Sequence, residues 1–193
     1  MSLNPSRSTL TRDRIVDAAL DLIDRAGLEG LSMRKLGTAL GVEAMALYHH
    51  FGSKERLLEA VAERLIDDMG IDAQEGADWL GGLRDATRAY RALARRHPYA
   101  FTLLTRPGPA AKTYLEAVRP TLAAAGFDSV LSALILHVAD CYATGAALAE
   151  AVRAAGGIES PAGADDIFET GLALVLDRLR ALSTQVSGRT NRR

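Results

Sequence analysis

Residues 31–51 have the sequence LSMRKLGTALGVEAMALYHHF, which predicts two short helices joined by a glycine-containing turn. Ser32 is placed to cap the first helix, and Leu31 can pack on Leu36 five residues further on, the arrangement known as a hydrophobic staple. Gly41 stands where the end of a helix favours a residue that tolerates a positive φ. The first helix is therefore about two turns long.

The second short helix is predicted over residues 43–51, with Leu47 and Phe51 four positions apart on its inner face. Gly52 ends this helix, and Ser53 is placed to cap a longer one. The other side chains of the second helix then point outward: Met45, Ala46, Tyr48 and His49.

The rest of the chain also predicts helices, because no alternating run of β-branched residues reaches five positions. We predict an all-α fold. Its further helices span residues 11–26, 83–96, 99–105, 110–124, 129–154 and 165–183. The glycines of residues 69–82 predict a loop between a head, residues 1–67, and a larger body, residues 68–193. The tail, residues 187–193, is predicted to fray.

Composition narrows the class of protein. The chain has 193 residues, of which 48% are hydrophobic and 24% charged, values typical of a soluble globular protein. Its single cysteine, Cys141, cannot form an internal disulfide, which is typical of a reducing compartment. The most apolar stretch, residues 131–139, is shorter than the ~20 residues of a membrane span, and no signal peptide is recognisable. We therefore expect a cytoplasmic protein with no membrane partner.

Two short helices joined by a glycine turn, with a supporting helix before them and a capped helix after them, are typical of a helix-turn-helix DNA reader. The second helix has to enter a major groove about 12 Å wide, and the small Ala44 and Ala46 permit a close approach. Donors and cations for phosphates or base edges stand around it: Arg34, Lys35, Tyr48, His49, His50 and Lys54. Residues 1–67 are thus predicted to be an N-terminal three-helix DNA-binding head.

Net charge does not by itself indicate DNA binding. The chain carries a net charge of -1, and residues 1–56 hold eight Lys and Arg against seven Asp and Glu. Most of these acids fall on the helix of residues 11–26, so the orientation of the head decides whether a positive face exists. A protein that coats DNA without sequence preference would need a far more basic surface.

The head resembles that of the TetR family of bacterial repressors. The resemblance rests on residues 28–42 and 47–58, LEGLSMRKLGTALGV and LYHHFGSKERLL, where the glycine turn, Tyr48, Phe51 and Lys54 have the family's spacing. It implies a homodimer that binds a near-palindromic operator in double-stranded DNA and releases it when a small molecule binds. The resemblance also implies contacts to bases, backbone or phosphates from a set of residues: Ser32, Met33, Arg34, Ala44, Met45, Ala46, Tyr48, His49, His50 and Lys54.

The body resembles the tetracycline-repressor branch of that family, through Leu104-Thr105-Arg106-Pro107 after residues 91–101. Tetracycline repressors present histidines to the magnesium ion of the drug. This chain has Gly70 and Thr102 at the corresponding places, and neither residue can take that role. We therefore expect an effector other than tetracycline.

Two features predict effector contacts in the body. His137, Asp140 and Thr144 form a polar stripe on the helix of residues 129–154, which meets solvent, pairs across a dimer or lines a ligand cavity. The aromatic residues of the body either wall an effector pocket or pack in the core. The predicted contacts are Tyr90, Phe101, Thr102, Thr105, Tyr114, His137, Asp140 and Tyr142.

A dimer interface is predicted from the last two long helices. Leu148 lies in a segment of small residues, and Phe168, Leu172, Val175 and Leu179 recur at heptad-like spacing. Two such helices from each of two chains would form a four-helix interface with two-fold symmetry. The alternative is that both stripes are buried within one chain.

The sequence predicts no cofactor, no metal centre and no catalytic residue. His49 and His50 project about 100° apart on a helix, and His137 and Cys141 lack a third ligand. A helical small-molecule-binding protein or enzyme without a DNA role is the competing hypothesis, but no Ser-His-Asp or Cys-His motif and no phosphate-binding glycine loop supports it. We expect a ligand-responsive transcriptional regulator, most consistent with a repressor.

Overall fold

The structure, a computed structural model, describes residues 10–70, 78–106 and 119–190, with side chains up to residue 182. Every regular element in these ranges is helical, which confirms the all-α prediction. The helices are α1 Arg12–Ala26, α2 Met33–Leu40, α3 Ala44–Phe51, α4 Lys54–Asp67, α5 Trp79–Arg96, α6 Pro98–Phe101, α7 with residues 119–124, α8 Ser129–Ala155 and α9 Ala164–Thr190. A 3-10 turn, Leu28–Gly30, links α1 to α2.

Local signals fix the bounds of the first four helices. Hydroxyl side chains cap α1, α2 and α4 by accepting a backbone N–H three residues further on, at 3.2–3.3 Å: Thr11, Ser32 and Ser53. Glycines with φ between 71° and 74° follow the last residues of α1, α2 and α3: Gly27, Gly41 and Gly52. Leu31 and Leu36, the residues of the predicted staple, are both buried in one core.

The prediction of a loop over residues 69–82 is wrong at the C-terminal end of that range. Asp78 accepts a hydrogen bond from the backbone N–H of Leu80 at 3.1 Å and so starts α5 at Trp79. Gly81 and Gly82 therefore lie inside a helix, where the aspartate cap and the apolar residues that follow outweigh the low helix propensity of glycine. Residues 71–77 lie outside the described ranges.

The later helices differ from prediction in length. α6 is shorter than the predicted 99–105, because residues 102–105 form turns after Phe101. α9 continues to Thr190, so the prediction of a frayed tail is wrong for residues 187–190, while residues 191–193 lie outside the description. The helix predicted over residues 110–124 is tested only at residues 119–124, which are helical.

Two hydrophobic clusters form the interior. The first joins the inner faces of α1–α4 to side chains of the body on α5, α6 and α8, among them Tyr90, Leu93, Phe101, Ala143 and Ala147. The second lies further into the body and joins α5, α7, α8 and α9. The head therefore has no separate core, since its apolar interior continues into the body.

Helix α8 contains an 18-residue window of mean hydropathy 1.4, which by length and composition alone would suffice to cross a membrane, a property that the core helix of a soluble protein can share. One face packs along α5 in the interior. The other face leaves apolar side chains exposed: Val130, Leu134, Val138, Leu148 and Val152.

Candidate nucleic-acid interface and effector body

The turn between α2 and α3 depends on a close backbone approach at Gly37. The backbone N–H of Val42 donates to the Gly37 carbonyl at 2.9 Å. A Cβ atom on Gly37 would stand 2.8 Å from the carbonyl oxygen of Val42 and 3.2 Å from the backbone nitrogen of Ala44. Only glycine therefore lets the end of α2 touch the start of α3. The sequence analysis missed this residue, although a glycine inside a predicted helix was the available signal.

Helix α3 presents the outer face that the sequence predicts. Leu47 and Phe51 are buried in the first cluster. Met45 is 65% exposed and Tyr48 42% exposed, and His49 is also exposed. The remaining outward residues, Ala46 and His50, are half-buried.

Arg12 of α1 holds the far end of α3, a contact that sequence reasoning missed. Its guanidinium lies 4.2 Å from the centroid of the Phe51 ring and donates a hydrogen bond to the carbonyl oxygen of His50. A cation at the C-terminus of a helix also complements the helix dipole. α3 is thus fixed at both ends, by Gly37 at its start and by Arg12 at its end.

Basic side chains flank α3. Arg34 and Lys35 of α2 are exposed, and Lys35 Nζ donates to the Gly30 carbonyl at 3.2 Å. Lys54 begins α4 and is half-buried. The neighbouring Glu55 has a lowered pKa, because its own backbone N–H and the Ser53 hydroxyl hydrogen-bond to the carboxylate. A carboxylate therefore already occupies part of the N-terminus that a phosphate would approach.

Met33 is a correction to the predicted set of DNA contacts. Its side chain is 5% exposed and packs in the first cluster. Met33 begins α2 on the same face as Leu36 and Gly37, both of which are buried, so helical periodicity directs it inward. Ser32 is half-buried, and its hydroxyl caps α2 by accepting a hydrogen bond from the backbone N–H of Lys35.

The polar stripe of α8 divides between the interior and the surface. Thr144 hydrogen-bonds with the buried Tyr90, and Thr144 also donates to Asp140 at 3.3 Å. Burial raises the pKa of the Tyr90 phenol, and Tyr90 meets Phe101 edge to face at 4.9 Å. His137 instead is exposed, with its Nε2 3.7 Å from the Cys141 sulfur, so an interior ligand contact from His137 is not supported.

Thr102 and Thr105, two further predicted effector contacts, make hydrogen bonds to residues three positions earlier in the chain. Thr102 donates to the Tyr99 carbonyl at 2.8 Å, and the exposed Thr105 donates to the Thr102 carbonyl at 2.9 Å. Tyr142 is half-buried and donates to the Phe168 carbonyl at 2.7 Å, which joins α8 to α9. Tyr114 lies outside the described residues.

An arginine-lined groove of about 680 Å³ separates α5 from the start of α9, and the sequence analysis did not identify it. Its charged and aromatic lining is Arg88, Arg91, Arg95, Arg96, Asp165, Phe168 and Glu169. Arg91 Nε donates to the buried Glu150 at 3.0 Å, and Arg88 pairs with Glu169 at 2.6 Å. Arginines spaced three and four apart along α5 were the signal available in the sequence.

The predicted dimer residues lie mostly inside the chain. Phe168, Leu172 and Leu179 are at most 5% exposed and pack against α5 and α8 in the second cluster, so they are corrected to core residues. Val175 is half-buried beside them, and Leu148 is exposed. Among the side chains of α9 that the structure describes, up to residue 182, the exposed large apolar ones are Ile167 and Leu174, each 68% exposed.

A polar contact between His97 and Asp24 links head to body. His97, between α5 and α6, lies with Nδ1 2.7 Å from a carboxylate oxygen of Asp24 on α1. Tyr99 of α6 donates to the Ala155 carbonyl at the end of α8 at 3.2 Å. α6 thereby contacts α1, α4, α5 and α8. The head is attached to the body through this short helix.

The chain is similar to known proteins over both head and body. A family model described as bacterial regulatory proteins, tetR family, matches residues 15–61. An HTH-type transcriptional regulator of Saccharopolyspora erythraea is 37% identical over an alignment of 154 positions, gaps included. The alignment covers 76% of this chain and 60% of that protein. The chain thus spans less than two thirds of the length of that curated relative.

Two further comparisons cover nearly the whole chain. A solved structure of a TetR variant from Acinetobacter baumannii AYE in complex with minocycline matches with a TM-score of 0.75 at 26% identity, over 91% of this chain and 99% of that one. The tetracycline repressor protein class A from transposon 1721 of Escherichia coli is 32% identical over an alignment of 200 positions, gaps included, which covers 88% of this chain and 90% of the repressor. This chain belongs to the TetR family of bacterial regulatory proteins.

Proposed function

We propose that the protein is a ligand-responsive DNA-binding transcriptional regulator, and specifically a repressor. The observation that carries the proposal is the exposed face of α3, which is held rigidly at both ends by Gly37 and Arg12. A short, exposed and rigidly supported helix is what entry into a major groove requires. Residues 1–67 act as the DNA-binding head, and residues 68–193 bind the effector and the second protomer.

The proposed DNA contacts exclude Met33, which is buried. Tyr48, His50 and Lys54 are assigned to phosphates, and the outward residues of α3 to base edges. The full proposed set is Ser32, Arg34, Ala44, Met45, Ala46, Tyr48, His49, His50 and Lys54. The assignment rests on exposure and on position around α3, and it agrees with the family's pattern.

The active form is proposed to be a homodimer, because a two-fold pair of heads is needed to read a palindrome. Its interface is assigned to the exposed apolar faces of α8 and α9, which include Leu134, Leu148, Ile167 and Leu174. Covering such side chains on a second chain removes apolar surface from water. We propose that the protein acts in the cytoplasm as a regulator without catalytic activity, as expected of its family of transcriptional regulators.

The effector is proposed to bind the body and to favour a spacing of the heads that does not fit the operator. The polar groups of Tyr90, Thr144 and Asp140 are the proposed contacts to the effector inside the body. The solved neighbour holds minocycline. This chain has Gly70 and Thr102 where the tetracycline repressors' pattern has magnesium-contacting histidines, so a tetracycline is not the proposed effector.

Selection of bound sequences from random duplex DNA tests the central proposal, and the expected outcome is a palindrome with half-sites one helical turn apart. On the selected duplex, Lys54→Ala should weaken binding and reduce the slope of log Kd against log salt by about one. Arg25→Ala is the matched control, because Arg25 is an exposed cation of the head that pairs with Asp21 at the far end of α1. Equal slopes for the two variants would contradict the placement of DNA at α3.

The dimer is tested by mass measurement in solution. Leu174→Glu should shift the protein toward the monomer, since it places a charge in the proposed apolar interface. Glu59→Lys changes a charge on the exposed side of α4 and should leave the mass of the dimer unchanged. A dimer that withstands Leu174→Glu would show that α9 is not part of the interface.

A further inference from the structure

The first turn of α3 consists of apolar residues, and the inference drawn from it rests on the proposed function. In a helix-turn-helix protein, the N-terminal residues of the second helix are those that reach the base edges. Here that turn consists of Ala44, Met45, Ala46 and Leu47. Leu47 is buried and Ala44 is half-buried against the head core, so Met45 and Ala46 form the outward surface.

These outward side chains offer no hydrogen-bond donor and no strong acceptor. The base edges in the major groove are mostly donors and acceptors, and the C5-methyl group of thymine is the apolar group among them. An apolar side chain that displaces water from a donor or acceptor leaves it unpaired, which is unfavourable. Over a methyl group the same contact removes apolar surface from water, which is favourable.

The hydrogen-bonding side chains of α3 lie outside this turn. Tyr48 and His49 are exposed one turn later. Glu43 precedes the helix as its N-cap residue, where its exposed carboxylate makes no capping hydrogen bond. The first turn itself can therefore distinguish base pairs only through apolar contacts.

We propose that Met45 and Ala46 recognise thymine through apolar contact with its C5-methyl group. Each half-site of the operator then places thymines opposite the first turn of α3. Met45, which is 65% exposed, contacts one methyl group, and Ala46 contacts a neighbouring one. Arginine or glutamine readers of guanine and adenine have no counterpart in this turn.

The test removes methyl groups from the DNA and leaves the protein intact. On the duplex recovered by selection, each thymine of the half-site is replaced in turn by deoxyuridine, which differs only in lacking the C5-methyl group. Binding by the full-length protein should weaken about fourfold at a contacted thymine, and roughly fifteenfold when both half-sites are changed. Deoxyuridine in the flanking sequence is the control and should change nothing.

A second measurement adds the methyl group back on a different base. A C·G pair at a contacted position should bind more weakly than T·A, and 5-methylcytosine at the same position should recover part of the loss. Recovery is expected because a reader without hydrogen bonds detects the methyl group that thymine and 5-methylcytosine share.

A protein variant assigns the contact to its residue. Met45→Ala should abolish the deoxyuridine penalty at one thymine and leave the other penalties in place, as in a double-mutant cycle. Met45→Leu keeps an apolar side chain and should retain the penalty. If Met45→Ala binds no DNA, the deoxyuridine series on the unchanged protein decides the matter alone.

The outcomes separate this inference from the proposed function. No penalty at any thymine, on a duplex still preferred over random DNA, overturns methyl recognition and leaves the regulator assignment standing. Selection that recovers no preferred sequence overturns both. A penalty that Met45→Ala leaves unchanged at every thymine overturns the role of Met45.

Discussion

The head and the long helices of the body reach their structures by different means. In α2 and α3, caps, a staple and glycines with positive φ fix the ends of eight-residue helices, so neighbours in sequence determine most of the geometry. In α8 and α9, helices of 27 residues carry apolar side chains on more than one face, and contacts between distant residues decide which face is buried. Local signals suffice for the reading helix, while the body depends on tertiary contacts.

The substitution with the largest expected effect removes one charge from an ion pair between residues distant in sequence. Arg91 and Glu150 are both nearly buried, and their pair joins α5 to α8. Glu150→Ala removes the buried partner of the Arg91 charge and leaves it paired with the exposed Asp165, so we expect a loss of about 3 kcal/mol in the free energy of unfolding. Denaturant unfolding measures it.

The control for Glu150→Ala is Glu169→Gln, which breaks the exposed pair with Arg88. An exposed pair contributes little, so this variant should lose less than about 1 kcal/mol. Equal losses for the two variants would show that burial of the pair does not matter, and the body would then depend less on distant contacts than we argue.

Two glycine-to-alanine substitutions, one at the turn between α2 and α3 and one in α5, test how much the close backbone approach at the turn matters. Gly37→Ala places a Cβ atom against the backbone at Val42, so it should destabilise the protein by roughly 2 kcal/mol and abolish operator binding. Gly82→Ala in α5 meets nothing within 4 Å and should stabilise by up to about 1 kcal/mol. Thermal unfolding and DNA binding of both variants check the contrast.

Removing a single helix cap should have a smaller effect on the free energy of unfolding. Ser32→Ala removes the side-chain cap of α2 and should cost about 1 kcal/mol of stability. Ser32→Asp retains a capping acceptor and should recover most of it. A cost for Ser32→Ala as large as that of Glu150→Ala would reverse the ranking of local and long-range effects.

The smallest expected effect is the pH dependence that the ion pairs of the body contribute to stability. Hydrogen bonds from Arg88 and Arg91 lower the pKa of Glu169 and of Asp165 below their ordinary values. The stabilisation is therefore present above the ordinary carboxylate pKa of about 4 and is lost as the pH falls through the lowered values. Unfolding midpoints followed from pH 7 downward should show a shallower decline in Glu169→Gln than in the unchanged protein.

Sequence reasoning predicted the head well because its determinants are local. The caps at Ser32 and Ser53 and the inner pair Leu47 and Phe51 can be recognised from residue type and spacing. Gly37 and Arg12 were missed, since their roles appear only when α2 meets α3 and when α1 meets α3. Periodicity finds a helix face but does not identify what lies against it.

The body was predicted less well for the same reason. Periodicity correctly grouped Phe168, Leu172 and Leu179 on one face of α9, but it could not tell a partner chain from α5 and α8 of the same chain. The glycines at 81 and 82 were read as a loop although Asp78 starts a helix before them. The spacing of the arginines along α5 marks one wall of the groove beside Arg91, but the residues opposite them lie 59 and more positions away in sequence, so that spacing alone does not predict the groove.

The continuous interior beneath the head has a practical consequence for protein engineering. The apolar side chains of α1 and α4 are covered partly by α6, with Phe101 at the centre of the shared cluster. A DNA-binding module excised at residue 67 would leave that surface open to solvent. Anyone who grafts this operator specificity onto another sensor should therefore splice beyond α6 and transplant the short helix together with its reader.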